Sequence, residues 1–144
     1  MDKRALVQRV AKALTSLHVA LYRASGGRVF GSFRGGPILL LTTRGRKSGR
    51  PRTTPLLYVR DGDAFVVVAS NGGMDWEPAW WLNLQANPSG QVQAGPRALR
   101  VRAERVGPDD RVGLWTRLTR MYPGYEGYQR RVSREIALVR LRSV

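Results

Sequence analysis

Residues 45–52 read Gly-Arg-Lys-Ser-Gly-Arg-Pro-Arg. Two glycines permit the tight turns by which backbone N–H groups converge on an anion, so the segment can form an anion nest. Arg46, Lys47 and Arg52 add full positive charges, and Ser48 adds a hydroxyl donor. Arginine grips phosphate or carboxylate through two parallel N–H groups, whereas lysine acts as a mobile point charge. The spacing is not that of a P-loop, because the pattern G-x-x-x-x-G-K-[ST] is missing. Two readings fit the residues: a phosphate or polycarboxylate site, and a solvated basic hairpin.

Three further groups are suited to chemistry. Ser70-Asn71-Gly72-Gly73 can present N–H groups and small polar side chains to a planar ring, or serve as a plain loop. Trp76, Trp80 and Trp81 offer flat apolar surfaces for packing or for stacking on a ligand. Trp80 and Leu84 share one helical face and are expected in the core, with Trp76 or Trp81 less buried. Tyr122, Tyr125 and Tyr128 recur every three residues in Tyr-Pro-Gly-Tyr-Glu-Gly-Tyr. They can line a pocket with rings and hydroxyl donors, or fill a core. Gly124 and Gly127 suggest that this segment moves.

Other chemistries are poorly served. The chain has no cysteine and one histidine, His18, so thiolate and multi-histidine metal centres and most histidine triads are excluded. No metal site is expected, and no pair of acids has the promise of a glycosidase. An enzyme built from these residues would leave the hard step to a cofactor. The net charge of +15 points to an anionic partner: nucleic acid, an anionic membrane surface or a polyanionic small molecule. Residues 1–60 hold 13 basic residues and a single acid, Asp2, while residues 61–144 hold 12 basic and nine acidic. Arginine supplies 22 of the 25 bases, which also fits a GC-rich genome. Arg9 and Lys12 interrupt any apolar stretch a secretory leader would need, and the run Ile38–Leu41 is far short of a membrane span of ~20 residues. A cytoplasmic location is the expectation.

The elements that must position these groups are legible as periodicities. Leu6, Val10, Ala13/Leu14, Leu17 and Leu21 recur at helical spacing, predicting a helix over 3–23 with a basic side. It either packs on the domain or lies on an anionic membrane surface, at the inner face of the plasma membrane. Glycines at 26, 27, 31, 35 and 36 suggest a loose connector. Strands are expected at 38–43, 52–60 and 64–70, with a hairpin turn at Asp61-Gly62. A helix over 75–87, capped by Asp75 and stopped by Asn87-Pro88, follows. A hairpin comprises 91–94 and 99–106, a helix runs from Pro108 to about Met121, and a last strand covers 136–141. Hairpins dominate and no βαβ unit repeats. The expectation is an α+β, mainly antiparallel small barrel with helices at its edges, comprising a helix over 1–25 and a barrel over 36–144. The helix is expected to be dispensable for ligand binding.

Four segments in order carry a resemblance: LLLTTRGRKSGRPRTTPLLYVRDG (39–62), VVVASNGG (66–73), WWLNLQANP (80–88) and MYPGYEGY (121–128). Together they are similar to the deazaflavin-dependent nitroreductases, of the F420H2-dependent quinone reductase type, over roughly residues 36–142. The resemblance implies a split β-barrel and coenzyme F420, a deazaflavin bearing a phosphate and an oligoglutamate tail, with FMN the less favoured cofactor. By position it implies that Arg46, Lys47 and Ser48 hold the phosphate and tail. Arg52, Thr53, Thr54, Pro55, Leu56 and Leu57 would run beside the cofactor, and Val68, Ala69, Ser70 and Asn71 would meet the ring. Ala79, Trp80, Trp81, Leu82 and Asn83 would close the groove, and Tyr125 would touch the ring. Ser70, Tyr122 and Tyr128 would be the catalytic donors. The acceptor implied is a quinone, nitro compound or enone. Leu57 stands where relatives carry tyrosine and Asn71 where some carry lysine, so the acceptor need not be shared. The rival readings are a non-catalytic F420- or FMN-binding barrel and a basic nucleic-acid-binding barrel. Nucleic acid is not expected, because the basic and tyrosine clusters lie far apart in sequence.

Overall fold

The structure is a computed structural model that describes residues 2–144. It begins with α1 (Lys3–Ser25), whose N-cap Asp2 accepts a hydrogen bond from the Arg4 amide and which ends at Gly26 in the left-handed conformation. Strands β1 (Ser32–Phe33), β2 (Gly36–Arg44), β3 (Pro51–Leu57), β4 (Val59–Asp61) and β5 (Ala64–Val68) follow. After α2 (Ala79–Ala86) come β6 (Ser89–Ala94) and β7 (Arg97–Arg105), then α3 (Pro108–Met121), α4 (Gly124–Arg131) and β8 (Leu138–Ser143).

All strand pairs are antiparallel, in the order β1-β2-β6-β7-β8-β5-β4, with β3 also paired to β2. β3 and β4 therefore stand at opposite ends of the sheet, yet they are one stretch of chain interrupted only at Tyr58. That continuity curls the sheet into a split barrel. Side-chain alternation gives both faces something to bury. Leu39, Leu41, Phe65, Val67, Val139 and Leu141 join Trp80, Trp81 and Leu84 in one core. Val66, Val68 and Leu138 pack with Leu114, Leu118, Tyr125, Val132 and Ile136 of the α3–α4 side. Ile38 and Leu40 meet Val19 and Tyr22 of α1.

Arg140, 6% exposed, projects from β8 onto Asp61 (2.8 Å), Glu104 and Asp110 (both 3.4 Å), binding β4, β7 and α3 together. An arginine so deeply set keeps its charge because three carboxylates replace its hydration.

Several boundaries differ from expectation. The strand over 52–60 breaks at Tyr58, whose amide donates to Pro37 O and whose ring meets Phe65 edge-on at 5.2 Å. The helix expected from Asp75 starts only at Ala79, with Pro78 at the N-cap position and Asp75 exposed. The carbonyls of Met74 and Trp76 are turned to Arg134 and cannot enter a helical ladder. The connector is partly ordered: Ser32–Phe33 pairs with Pro37–Gly36, and Phe30 and Arg34 adopt positive φ. The tyrosine segment is not a glycine-loosened flap but the helix α4. Its three-residue spacing is helical spacing, which puts Tyr125 and Tyr128 on one face.

Candidate functional site

A groove of about 730 Å³ opens between three elements. One wall is the β2–β3 loop and the start of β3, contributing Gly45–Ser48 and Pro51–Thr54. The second is α2, through Ala79, Trp80 and Asn83. The third is α1, through Lys12, Thr15, Ser16, Val19, Ala20 and Arg23. The lining holds five cationic side chains, Lys12, Arg23, Arg46, Lys47 and Arg52, and no acid. Among the described residues none of these five forms an ion pair; every ion pair involves a base beyond residue 100.

The loop itself is braced rather than open. Gly45 N–H donates to Arg50 O and Gly49 N–H to Gly45 O (both 2.8 Å), while Arg50 N–H donates to Ser48 Oγ at 3.2 Å. Arg46 N–H donates to Asn83 Oδ1 at 3.1 Å, and Asn83 Nδ2 donates to Thr43 Oγ1 at 3.1 Å. Asn83 is 3% exposed, so this link between α2 and the loop is buried. The expected backbone nest is thus largely used up: of the amides from 45 to 50, only those of Lys47 and Ser48 lack an internal acceptor among the described residues. Anion recognition falls to the side-chain charges. Gly45 is needed for close approach, since a Cβ there would stand 2.7 Å from Ser48 Oγ.

Other expected site residues lie outside the groove. Pro55, Leu56 and Leu57 continue β3, half-buried. Val68 and Ala69 are buried in the two cores, as is Trp81; Leu82 is half-buried. Trp76 is 63% exposed. Ser70 is 8% exposed, and its Oγ has no hydrogen-bond partner among the described residues. Asn71 turns its Nδ2 onto Trp76 O at 3.1 Å.

The tyrosines do converge. Tyr122 and Tyr128 place their hydroxyl oxygens 2.9 Å apart, and both rings pack around Tyr125, which is 6% exposed. The hydrogen bond to Tyr122, then burial, raises Tyr128 above the ordinary phenol value; burial raises Tyr125 further. Tyr125 and Tyr128 are thus held as phenols at neutral pH. The cluster reaches the 70–73 turn, because a Cβ on Gly73 would meet the Tyr128 ring at 2.9 Å.

Two features were missed in sequence. α1, expected to be separable, is a wall of the groove. Tyr22, fully buried, donates to Ile38 O and accepts from Gly95 N–H, each at 2.8 Å, and Arg23 Nη2 donates to Thr53 Oγ1 at 3.1 Å. The groove residues 12, 15/16, 19 and 23 keep helical spacing, a signal that was readable beside the louder apolar one. The second is Arg134, which donates from Nη1 to Ala69 O and from Nη2 to the carbonyls of Ser70, Met74 and Trp76, at 3.0 to 3.3 Å. Nothing local in the sequence marks it out from the other arginines.

Comparison with known proteins places this geometry. The family profile described as F420H(2)-dependent quinone reductase matches residues 14–142. The F420H(2)-dependent quinone reductase Rv1261c of Mycobacterium tuberculosis is 42% identical over 140 residues, covering 94% of each chain. A second M. tuberculosis protein, the putative F420H(2)-dependent quinone reductase Rv3178, is 39% identical over 74% of this chain and 89% of its own. The solved F420-H2 dependent reductase FDR-A superposes with a TM-score of 0.67 at 36% identity, over 73% of this chain and 93% of that one. A solved chain described as a domain-swapped dimer gives 0.70 at 29% identity, over 96% and 97%. With most of its length matched, α1 from residue 14 onward included, this chain belongs to the F420H(2)-dependent quinone reductase family and is an oxidoreductase that uses reduced coenzyme F420.

Proposed function

We propose that the cationic groove holds the phosphate and acidic tail of F420, and that hydride is delivered to a quinone-type acceptor beside the tyrosine cluster. The observation that carries this reading is the set of five cations facing one groove without a single acid among them. Such a set costs self-repulsion when empty and suits a polyanion. Arg46, Lys47, Ser48 and Arg52 bind the phosphate side, with Ala79, Trp80 and Asn83 closing the groove. β3 leads from there through Thr53, Thr54, Pro55 and Leu56 to Leu57, ~17 Å from Arg52 at the rise of an extended strand. Val68 to Asn71 and Tyr125 border the ring at that end.

Reduced F420 supplies the hydride when bound. The protein's part is to orient ring and acceptor, to exclude water, and to offer donors where negative charge develops on the acceptor oxygen. The Tyr122–Tyr128 hydroxyl pair and Ser70 Oγ are those donors. The Tyr128 hydroxyl, raised above the ordinary phenol value by its hydrogen bond to Tyr122 and by burial, keeps its proton at neutral pH and so can donate.

A second component concerns α1. Leu6, Val10, Leu14, Leu17 and Leu21 are 37 to 62% exposed, with Lys3, Arg4 and Arg9 close by. No helix of the described residues is long and apolar enough to cross a membrane. An apolar stripe with basic neighbours suits peripheral docking on an anionic lipid surface, where lipid-soluble quinones reside.

Fluorescence titration with F420 tests the cofactor site, followed by anaerobic oxidation of the reduced form by quinones, nitro compounds and enones. Binding with quinone-dependent oxidation is expected. A protein that purifies with FMN, or one that binds DNA with steep salt dependence and ignores F420, overturns the reading. Co-sedimentation with phosphatidylglycerol vesicles tests docking; a self-associated species that ignores vesicles assigns the apolar stripe to a second copy instead.

A further inference from the structure

We infer that α1 is a cofactor-binding element with a division of labour: Arg23 serves the phosphate end of F420, and Lys12 grips the distal carboxylates of its tail. The inference rests on the cofactor placement proposed above and deepens it.

The helix is two-faced. At 3.6 residues per turn, Lys12, Thr15, Ser16, Val19 and Arg23 fall in one sector, and the apolar stripe falls roughly 160° away. The first sector lines the groove, and the second points away from it with its apolar side chains exposed. Docking through the apolar side therefore leaves the groove side free to bind.

The wall is fixed at its C-terminal end. Tyr22 ties it to β2 and to the β6–β7 turn, and Arg23 bonds Thr53, whose hydroxyl lies 2.8 Å from that of Thr42. Arg23 is thereby held beside Arg52 and Thr53, at the phosphate side of the groove.

Lys12 lies three turns further along, ~16 Å from Arg23 at the helical rise. A single phosphate cannot reach both. An extended chain bearing a carboxylate at every residue can, and its later carboxylates then meet Lys12, with Thr15 and Ser16 as hydroxyl donors between.

The test uses the full-length protein and two probes, F420 with one glutamate and F420 with five or more, titrated by fluorescence at fixed ionic strength. Arg23→Ala should weaken both by about tenfold, the loss of one charge-assisted contact. Lys12→Ala should weaken only the long-tailed form and remove its advantage over the short. Arg4→Ala, which deletes a charge of the same helix outside the groove, should bind both like the wild type. In the wild type, long-tailed F420 should also slow tryptic cleavage after Arg9 and Lys12.

Wild-type affinity for both probes in Lys12→Ala and Arg23→Ala overturns the inference while leaving the cofactor site intact. An equal loss in Arg4→Ala overturns it too, by showing a bulk charge effect. A wild-type protein that binds neither probe overturns the cofactor placement itself, and this inference falls with it.

Discussion

The hydroxyl oxygens of Tyr122 and Tyr128 lie 2.9 Å apart, the first at the end of α3 and the second about one turn into α4. One of the two must donate to the other, so the pair holds one proton internally and has one to offer. An acceptor oxygen beside the pair would meet a donor whose own oxygen is already hydrogen-bonded, an arrangement that strengthens donation.

Tyr122→Phe and Tyr128→Phe each delete one hydroxyl and keep the ring. Removing a donor that acts in the transition state should lower kcat and kcat/KM together, by ~10²-fold at most sites of this kind. The double variant should fall little below the worse single one, because the pair acts as a unit. F420 affinity should hold in all three. Full quinone reduction by both single variants would reduce the cluster to a wall; loss of F420 affinity would reassign it to the cofactor.

Tyr125 sits between them with its phenol pushed above the ordinary value by burial. The folded state therefore keeps a proton that the unfolded chain releases near pH 10. This contribution to stability is complete below that pH and is lost as pH rises above it. Denaturant unfolding of the wild type should weaken above pH 10, and Tyr125→Phe should flatten that decline. Equal slopes in the two proteins would mean that other groups control alkaline unfolding.

In the groove, binding and bracing are separate tasks. Lys47→Ala and Arg52→Ala should each weaken F420 by about tenfold with an unchanged melting temperature, since both side chains are exposed and unpaired. Asn83→Ala behaves differently. It strands the Arg46 amide and the Thr43 hydroxyl, so a loss of ~1–3 kcal/mol in stability is expected alongside weaker binding. Calorimetry and titration of the three proteins distinguish the roles. A destabilised Lys47→Ala, or an Asn83→Ala of wild-type stability, would contradict the division.

Much of this was legible as pattern. Short apolar runs at 38–41 and 64–68, the turn at Gly62 and the proline at the start of α3 marked strands and helix correctly, because local composition and turn chemistry agree with the fold there. The basic cluster and the tyrosine spacing marked residues that the fold does gather. What was not legible depends on long-range contact. Tyr22 reads as an ordinary helix residue until Gln93 and Gly95 are brought beside it, 71 and 73 positions away. Asp75 is a good cap by type, but the loop carbonyls near it are taken by Arg134 from a distant segment. The two glycines of α4 suggest mobility locally, whereas burial of Tyr125 against Leu118 and Ile136 overrides them.

Arg134 is the residue on which the 69–76 loop depends. Its guanidinium gathers four carbonyls of that loop, and its buried Nε has no acceptor, so among the described residues the loop carbonyls are the acceptors the guanidinium has. With its carbonyls drawn one way, the loop sets the positions of Ser70 and Gly73 against the tyrosine cluster. Arg134→Lys keeps the charge but loses the planar fork that serves several acceptors at once. We expect it to lower stability by ~1–3 kcal/mol, the range for hydrogen bonds to a charged group. Amide exchange in 70–76 should quicken while the β5–β8 ladder stays protected. If the loop positions the donors at the acceptor, KM for quinone should rise and kcat fall. Faster exchange with unaltered kinetics would confine Arg134 to a structural role. Slow exchange in 70–76 with arginine replaced would show that the loop holds its shape without it.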